Sequence, residues 1–327
     1  MKTFAGLPAK TCGICPRACR LGEGQSGNCR ARRNIGGRIV PLAYGRPCAV
    51  ALDPIEKKPL FHFMPGGTAL SIGTAGCNLH CLNCQNSDIS QNSPEDIPSE
   101  PLPPDALAAL MRRTGAQSVA YTYNEPLVAF EYVLDCAKAV REAGGANVLV
   151  SAGYVNPRPL EELMPYLDAA NIDLKTMSES ACLANCGVHV DPVLATLRTL
   201  ARSNVVLEVT NLVIPGFNDS DGDLDACCAF VADELGKDVP VHFSRFFPRH
   251  RMTDRPPTPL ETLRRADEIA RAHGLHYVYR GNVEDEANTM CPSCGRCLIR
   301  RSGFDVLSNV VVHDRCPDCG HVIYGRF

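Results

Sequence analysis

The sequence predicts an α/β fold, an open or partial barrel of parallel strands with helices outside it; a doubly wound flat sheet is the alternative. Three observations predict it. Strand-like and helix-like segments alternate through the middle of the chain, polar motifs recur where the strands end, and cysteine-rich tails break the alternation at both ends. The first strand is Ala69–Gly73, an apolar run that opens into a Gly- and Cys-rich loop. Prolines from Pro94 to Pro104 interrupt regular structure, and Asp105 then caps a helical pattern that stops near Gly115. Ser118–Tyr123 reads as the second strand, halted at Pro126, and Leu127–Glu142 as a helix closed by Gly144 and Gly145. Strand Asn147–Ser151, helix Leu160–Asp168, strand Ala170–Leu174 and helix Pro192–Arg202, capped by Asp191, follow in turn. Strand Val205–Ile214 ends at Pro215-Gly216; helix Leu224–Leu235, strand Val239–Phe243, helix Pro259–Ala272 and strand His276–Tyr279 complete the series. About seven strands with about six helices between them imply a parallel sheet. In such a sheet ligands gather at the carboxyl ends of the strands.

Of the 327 residues, 45% are hydrophobic and 21% charged, which describes a globular rather than a disordered chain. The net charge of −3 predicts no broad basic surface, so nucleic acid is not an expected partner. No apolar run reaches the roughly 18 residues of a membrane span. The opening MKTFAGLPAKTCGIC lacks a signal-peptide core, so a cytoplasmic location is expected. In a reducing compartment clustered cysteines bind metal more often than they pair. Twelve of the 18 cysteines fall in three groups: Cys12, Cys15, Cys19 and Cys29; Cys77, Cys81 and Cys84; and Cys291, Cys294, Cys297, Cys316 and Cys319. Three units are therefore expected: a metal-binding extension over residues 1–62, the barrel over 63–285, and a zinc-ribbon-like module over 286–327.

The central group follows the first strand directly, as C-x3-C-x2-C. Three thiolates so close in sequence can converge on three irons of one cubane, which ordinarily takes four cysteines. A missing fourth ligand leaves one iron open to chelate a cofactor or substrate, the logic that separates catalytic from structural zinc sites. Zinc is the other reading, but it needs a fourth ligand, and His80 sits between two of the cysteines.

C-x3-C-x2-C after the first strand of such a barrel resembles the radical S-adenosylmethionine superfamily, of the pyruvate formate-lyase-activating type. The resemblance implies a partial (βα)6 TIM-like barrel with small Cys-rich metal-binding extensions. It also implies a [4Fe–4S] cluster on Cys77, Cys81 and Cys84 whose unique iron binds S-adenosylmethionine. The residue before the third cysteine is usually aromatic in that superfamily; here it is Asn83. Asn124-Glu125-Pro126 reads as a helix-starting turn on its own, and resembles the motif that meets the methionine amino group. Ser151, Gly153 and Asn156 follow the third strand as a turn or as cofactor contacts. Alternation puts Asp173 and Lys175 on one side of the chain, and the pair resembles the Asp-x-Lys of glycyl-radical activating enzymes. Ile214-Pro215-Gly216 resembles a segment that packs near the adenine, His242 is expected at the mouth, and Tyr279 to Asn282 at the pocket floor. Asp53 to Leu60 is expected to cross the barrel near the active site, with His62 as a substrate contact.

Cys12, Cys15, Cys19 and Cys29 suffice for a closed site, either zinc or an auxiliary iron–sulfur cluster. Cys291, Cys294, Cys316 and Cys319 read as a zinc ribbon, and Arg296, Arg300, Arg301 and Arg315 near it as solvated charges. CGICPRACRLGEGQSGNC (12–29), DPIEKKPLFHF (53–63), GTAGCNLHCLNCQN (73–86), TYNEP (122–126), YVYRGN (277–282) and the terminal CPSC…CPDCG together resemble the radical enzymes of the AmmeMemoRadiSam system, which implies AMMECR-like and MEMO-like partners. The implied activity is an oxidoreductase that cleaves S-adenosylmethionine to methionine and a 5′-deoxyadenosyl radical, fed by a donor such as ferredoxin or flavodoxin. That radical abstracts hydrogen from an unidentified small molecule or partner-bound substrate, or activates a glycyl-radical enzyme. A metal-stapled, non-catalytic scaffold with a partner-binding ribbon is the other class, distinguished by zinc in place of iron.

Overall fold

Short apolar runs become strands here and the amphipathic segments between them become helices. The computed structural model describes residues 8–284 and 286–327, so residues 1–7 of the N-terminal extension and residue 285 at the expected barrel boundary lie outside the described residues. Among the described residues eight strands form one sheet in chain order. They are β1 (Ala49–Pro54), β2 (Thr68–Gly73), β3 (Ser118–Tyr121), β4 (Ala146–Ser151), β5 (Ala169–Asp173), β6 (Val206–Val213), β7 (Val241–Arg245) and β8 (Val278–Gly281). Strands β2 to β8 run parallel. β1 and β8 are the two edges and do not pair with each other, so the sheet is open. Side chains from the ends of β4, β5, β6 and β7 and from the loops after β2, β3 and β8 nevertheless line one cavity, as only a sheet curved into a partial barrel allows.

Each expected helix is present in its crossover. Leu260–Ala272 shows the rule: it buries Leu263, Ala266 and Ala270, spaced to form one stripe against the sheet. Three differences have physical causes. β3 stops at Tyr121 rather than Tyr123, because Tyr123 turns into the left-handed region with φ 74°. The helix expected from Leu160 starts at Pro157 and tightens into a 3-10 turn at Met164–Tyr166, where Pro165 lacks a donor. An additional helix, Glu179–Cys186, forms where none was expected; it is short and lacks an apolar stripe, but Ser178 caps its start and Gly187, φ 69°, its end.

Residues 49–54 were expected inside the N-terminal extension, with no strand there; they form β1. It joins the barrel sheet instead, antiparallel to β2, with Asp53 opposite Ala69. The rest of the N-terminal segment forms two small hairpins, Lys10–Thr11 with Arg20–Leu21 and Arg32–Ile35 with Arg38–Pro41. It packs at the carboxyl end of the barrel, where the Asn156 amide donates to Ile14 O at 2.9 Å and Arg17 donates to Asn78 O and Gly187 O, both at 2.6 Å.

The C-terminal segment closes the opposite end. Its three-stranded antiparallel sheet (Thr289–Met290, Cys297–Ser302, Asp305–Asn309) leads to a tail whose Arg326 meets Asp168 at 2.9 Å and whose Tyr324 hydroxyl accepts from Leu207 N. Asp168 and Leu207 lie at the amino ends of β5 and β6. Arg301 corrects a sequence expectation: it is not solvated but 1% exposed. Its guanidinium donates to Phe61 O at 2.6 Å and to Thr289 Oγ1 at 2.8 Å, and lies 3.5 Å from the Glu56 carboxylate. Among the described residues no helix is long and apolar enough to cross a membrane.

Candidate active site

β2 delivers the chain to the carboxyl end of the barrel, and the loop that follows carries Cys77, Cys81 and Cys84. Gly76 makes the entry possible. Its φ is 91°, and a Cβ there would lie 2.5 Å from the carbonyl oxygen of Cys29. The loop is then fixed by short polar bonds: Asn78 donates to Tyr154 O at 2.8 Å, the Leu79 amide to Cys77 Sγ at 3.4 Å, and the Cys84 amide to Cys81 O at 3.2 Å. Cys84 Sγ lies 3.1 Å from Ser90 Oγ. All three cysteines are free thiols and open onto one cavity of about 340 Å³. Burial, reinforced by the nearby Glu125, pushes the Cys77 thiol well above its ordinary value. A hydrogen bond with the Cys186 thiol, opposed by burial and aided by the Lys175 charge, brings Cys81 down to about 7.

The strand ends complete the cavity. Glu125, 1% exposed, accepts from Ser151 Oγ at 2.9 and 2.8 Å, from the Ala152 amide at 3.0 Å and from the Leu127 amide at 3.2 Å. Burial raises its carboxyl to about 7, although those donors pull it back toward the ionised form. Asn124 donates to Gly76 O at 2.6 Å and to Thr74 Oγ1 at 3.2 Å. Asp173 lies 3.0 Å from Lys175 Nζ; burial works against the ammonium, but Asp173 holds it charged, well above the usual lysine range. From the edge strand, Asp53 pairs with Lys57 at 2.9 Å, with Lys58 at 2.7 Å, and accepts from the Tyr123 hydroxyl at 2.8 Å. Burial alone would raise the Asp53 carboxyl, but Lys58, Lys57 and Tyr123 hold it well below the usual carboxylate range. Lys57, Lys58 and Pro59 border the cavity, as expected of the segment from Asp53 to Leu60.

The structure thus brings Cys77, Cys81, Cys84, Asn124, Glu125, Ser151, Asp173 and Lys175 around one cavity. Asn282, expected at the pocket floor, lines it too, while several other expected residues lie elsewhere. His242 sits one layer deeper, two residues before the lining Ser244, and its Nε2 lies 2.6 Å from Glu208. Gly153 turns with φ 69° behind Ser151, whose Oγ accepts from its amide at 2.9 Å. Asn156 anchors the N-terminal loop by donating to Gly13 O at 2.8 Å. His80 bonds Gln91 and Asn28 on the outer side of its loop. His62 is fully buried, with Nε2 at 2.7 Å from the Tyr279 hydroxyl, and burial lowers it to about 4. Glu208 joins the two, pairing with the His242 ring and accepting from the His62 backbone amide at 2.7 Å. His62, His242 and Glu208 are all buried and none of them lines the cavity.

Sequence reasoning missed Thr210, Glu208 and the helix Glu179–Cys186, which supplies Cys186 to Cys81 and Asn185 to Asn83. Asn83, where the superfamily usually has an aromatic residue, accepts from Asn185 Nδ2 at 3.0 Å and is 6% exposed. The four ribbon cysteines, by contrast, were legible. Their ligand atoms all lie within 4.8 Å of one another, with Sγ separations of 3.6 Å for Cys291–Cys319 and 3.7 Å for Cys294–Cys316. Those match the edge of ~3.8 Å of a tetrahedron with metal–sulfur bonds of about 2.3 Å.

The donor set at the cavity fits a site-differentiated cluster with a zwitterionic cofactor. Three thiols and no fourth protein sulfur line the described cavity. Among the described residues, Asn124 Oδ1 and Thr210 Oγ1 are buried there without a hydrogen-bond partner. An amine and a hydroxyl on a ligand satisfy such atoms.

The sequence profile of the Radical SAM superfamily matches residues 71–226, which span β2 to the helix after β6. The chain is 42% identical over 316 residues to the Uncharacterized protein MJ0808 of Methanocaldococcus jannaschii, across 95% of this chain and 94% of that protein. It is 24% identical over 217 residues to the pyruvate formate-lyase 1-activating enzyme of Escherichia coli, across 61% of this chain and 87% of the enzyme. A radical SAM methyltransferase from Sphaerobacter thermophilus superposes with a TM-score of 0.51 over 67% of each chain, at 14% identity, a likeness of fold alone.

Proposed function

The chain belongs to the radical SAM superfamily, and from that membership we infer that it is an S-adenosylmethionine-cleaving enzyme acting on a substrate held in the carboxyl-end cavity. The observation that carries the reading is the cavity with three convergent thiols and, facing them, Glu125, Asn124, Asp173 and Lys175. Bound there, a [4Fe–4S] cluster supplies the electron that splits the sulfonium into methionine and a 5′-deoxyadenosyl radical. Cys77, Cys81 and Cys84 hold the cluster. Glu125 and Asn124 Oδ1 accept from the cofactor's amino group, Glu125 being fixed by Ser151 and two backbone amides. Lys175, kept charged by Asp173 and lining the same cavity, would pair with the cofactor's carboxylate. Lys57, Lys58 and Pro59 line the same cavity.

The test is anaerobic reconstitution with iron and sulfide, followed by dithionite and S-adenosylmethionine. Wild type is expected to release 5′-deoxyadenosine, and Cys81→Ala to fall at least ~100-fold, to background. No product from wild type that shows the cluster's Mössbauer signature sinks the reading. The similarity to the Escherichia coli activating enzyme favours a second reading, hydrogen abstraction from a glycine of a partner protein. A glycyl-radical doublet in the partner's electron paramagnetic resonance spectrum separates that reading from small-molecule chemistry.

A further inference from the structure

The four N-terminal thiols are not used by the chemistry above, and an inference about them rests in part on the central cluster being present. Cys12, Cys15, Cys19 and Cys29 all line one hollow, which Arg17 and Arg32 share. All four are free. Their spacing differs from that of the ribbon. Among the described residues only the ribbon brings three or more ligand atoms within 4.8 Å of one another, so the N-terminal sulfurs ring their hollow more widely. A single tetrahedral metal needs the tight arrangement. A cubane, which gives each thiolate its own iron, needs the wide one. The central trio shows the same wide arrangement.

Arg32 is a second, independent observation. It lines the hollow and is 4% exposed. Two of its nitrogens are occupied by Glu131, at 2.7 and 2.6 Å, and by Val128 O at 3.2 Å. Its Nε is buried with no oxygen or nitrogen partner, beside Cys12. A buried cation beside Cys12, with one N–H left without a partner, suits an anionic sulfide-rich group. The hollow also adjoins the central site: the Cys77 amide donates to Cys29 O at 3.2 Å.

We propose that Cys12, Cys15, Cys19 and Cys29 hold a second [4Fe–4S] cluster that takes one electron from a low-potential donor protein and passes it to the cluster at Cys77, Cys81 and Cys84. The transfer moves a single electron. The second cluster returns to its oxidised form as the central one is reduced, and no bond or proton changes at the thiolates. With all four corners ligated by protein, it binds no substrate.

The test uses the full chain, reconstituted anaerobically with iron, sulfide and zinc supplied together. Wild type is expected to hold about eight irons and about one zinc per chain. The Cys77→Ala/Cys81→Ala/Cys84→Ala variant is expected to keep about four irons, with a [4Fe–4S] Mössbauer signature. In reduced wild type, neighbouring spins are expected to make the paramagnetic resonance spectrum depart from the sum of the triple variant and Cys15→Ala/Cys19→Ala. About two zincs and no iron in the triple variant overturns the proposal and leaves the central reading standing. A triple variant with as much iron as wild type overturns the central reading instead. A purely additive spectrum overturns the electron hand-off. If Cys15→Ala/Cys19→Ala does not fold, the iron and zinc counts of the other two proteins still decide the metal.

Discussion

Glu125 is a carboxyl whose burial raises it to about 7 against an unfolded value of about 4.3. Between those pH values the folded chain holds the extra proton, so stability falls as pH rises through the window, by up to ~3 kcal/mol. Melting of the reconstituted protein under argon is expected to show this loss between pH 5 and pH 8, and Glu125→Gln to flatten it. A wild type that gains stability over that range contradicts the assignment. Asp53 is the opposite case, a carboxylate held ionised by two lysines. Asp53→Asn strands Lys58, which is 2% exposed, and is expected to cost ~3 kcal/mol in chemical denaturation. Lys58→Met leaves Asp53 with Lys57 and Tyr123 and is expected to cost less. Residues such as Cys77, Glu125 and Lys175 were legible because their types and spacing carry chemistry wherever the strand ends. Glu208 and Thr210 were not, because their meaning lies in what faces them across the sheet. His242 shows the limit: alternation gives the face of a strand, but not the layer.

Among elements, the βα alternation was readable from periodicity, and each expected strand and helix appears with small shifts at its ends. The edge strand β1 and the helix Glu179–Cys186 were not. β1 is a short apolar run, Ala49 to Leu52, that ends in Asp53-Pro54 and lies on an open sheet edge with Val50 and Leu52 exposed, and the helix owes its form to its caps rather than to a stripe. The cysteine loop has the tightest local requirement. Gly76→Ala puts a methyl group against Cys29 O in a backbone conformation that disfavours side chains, and is expected to cost ~1–3 kcal/mol. Because the neighbour is the N-terminal segment, the variant is also expected to show faster proteolysis of residues 8–40 while the barrel stays resistant; equal cleavage rates contradict this.

At the scale of the molecule, two cysteine-rich tails sit at opposite ends of one open barrel. The ribbon's ligands could be read from spacing; its docking could not, because Arg301 looks like any other basic residue until Glu56 and Phe61 close around it. Arg301→Met is expected to lower stability by ~3 kcal/mol, since it leaves Glu56 buried without its partner, while metal bound by Cys291, Cys294, Cys316 and Cys319 stays at wild-type content. Loss of that metal in the variant means the ribbon does not close on its own sulfurs. At the other end, the bonds that fasten the N-terminal loop reach Asn78, Glu131, Asn156 and Gly187. During translation, then, the four leading thiols leave the ribosome first yet gain their last anchor only after residue 187 has followed. For most of its synthesis the nascent chain carries them unprotected, so a reducing environment guards the product against stray disulfides among them.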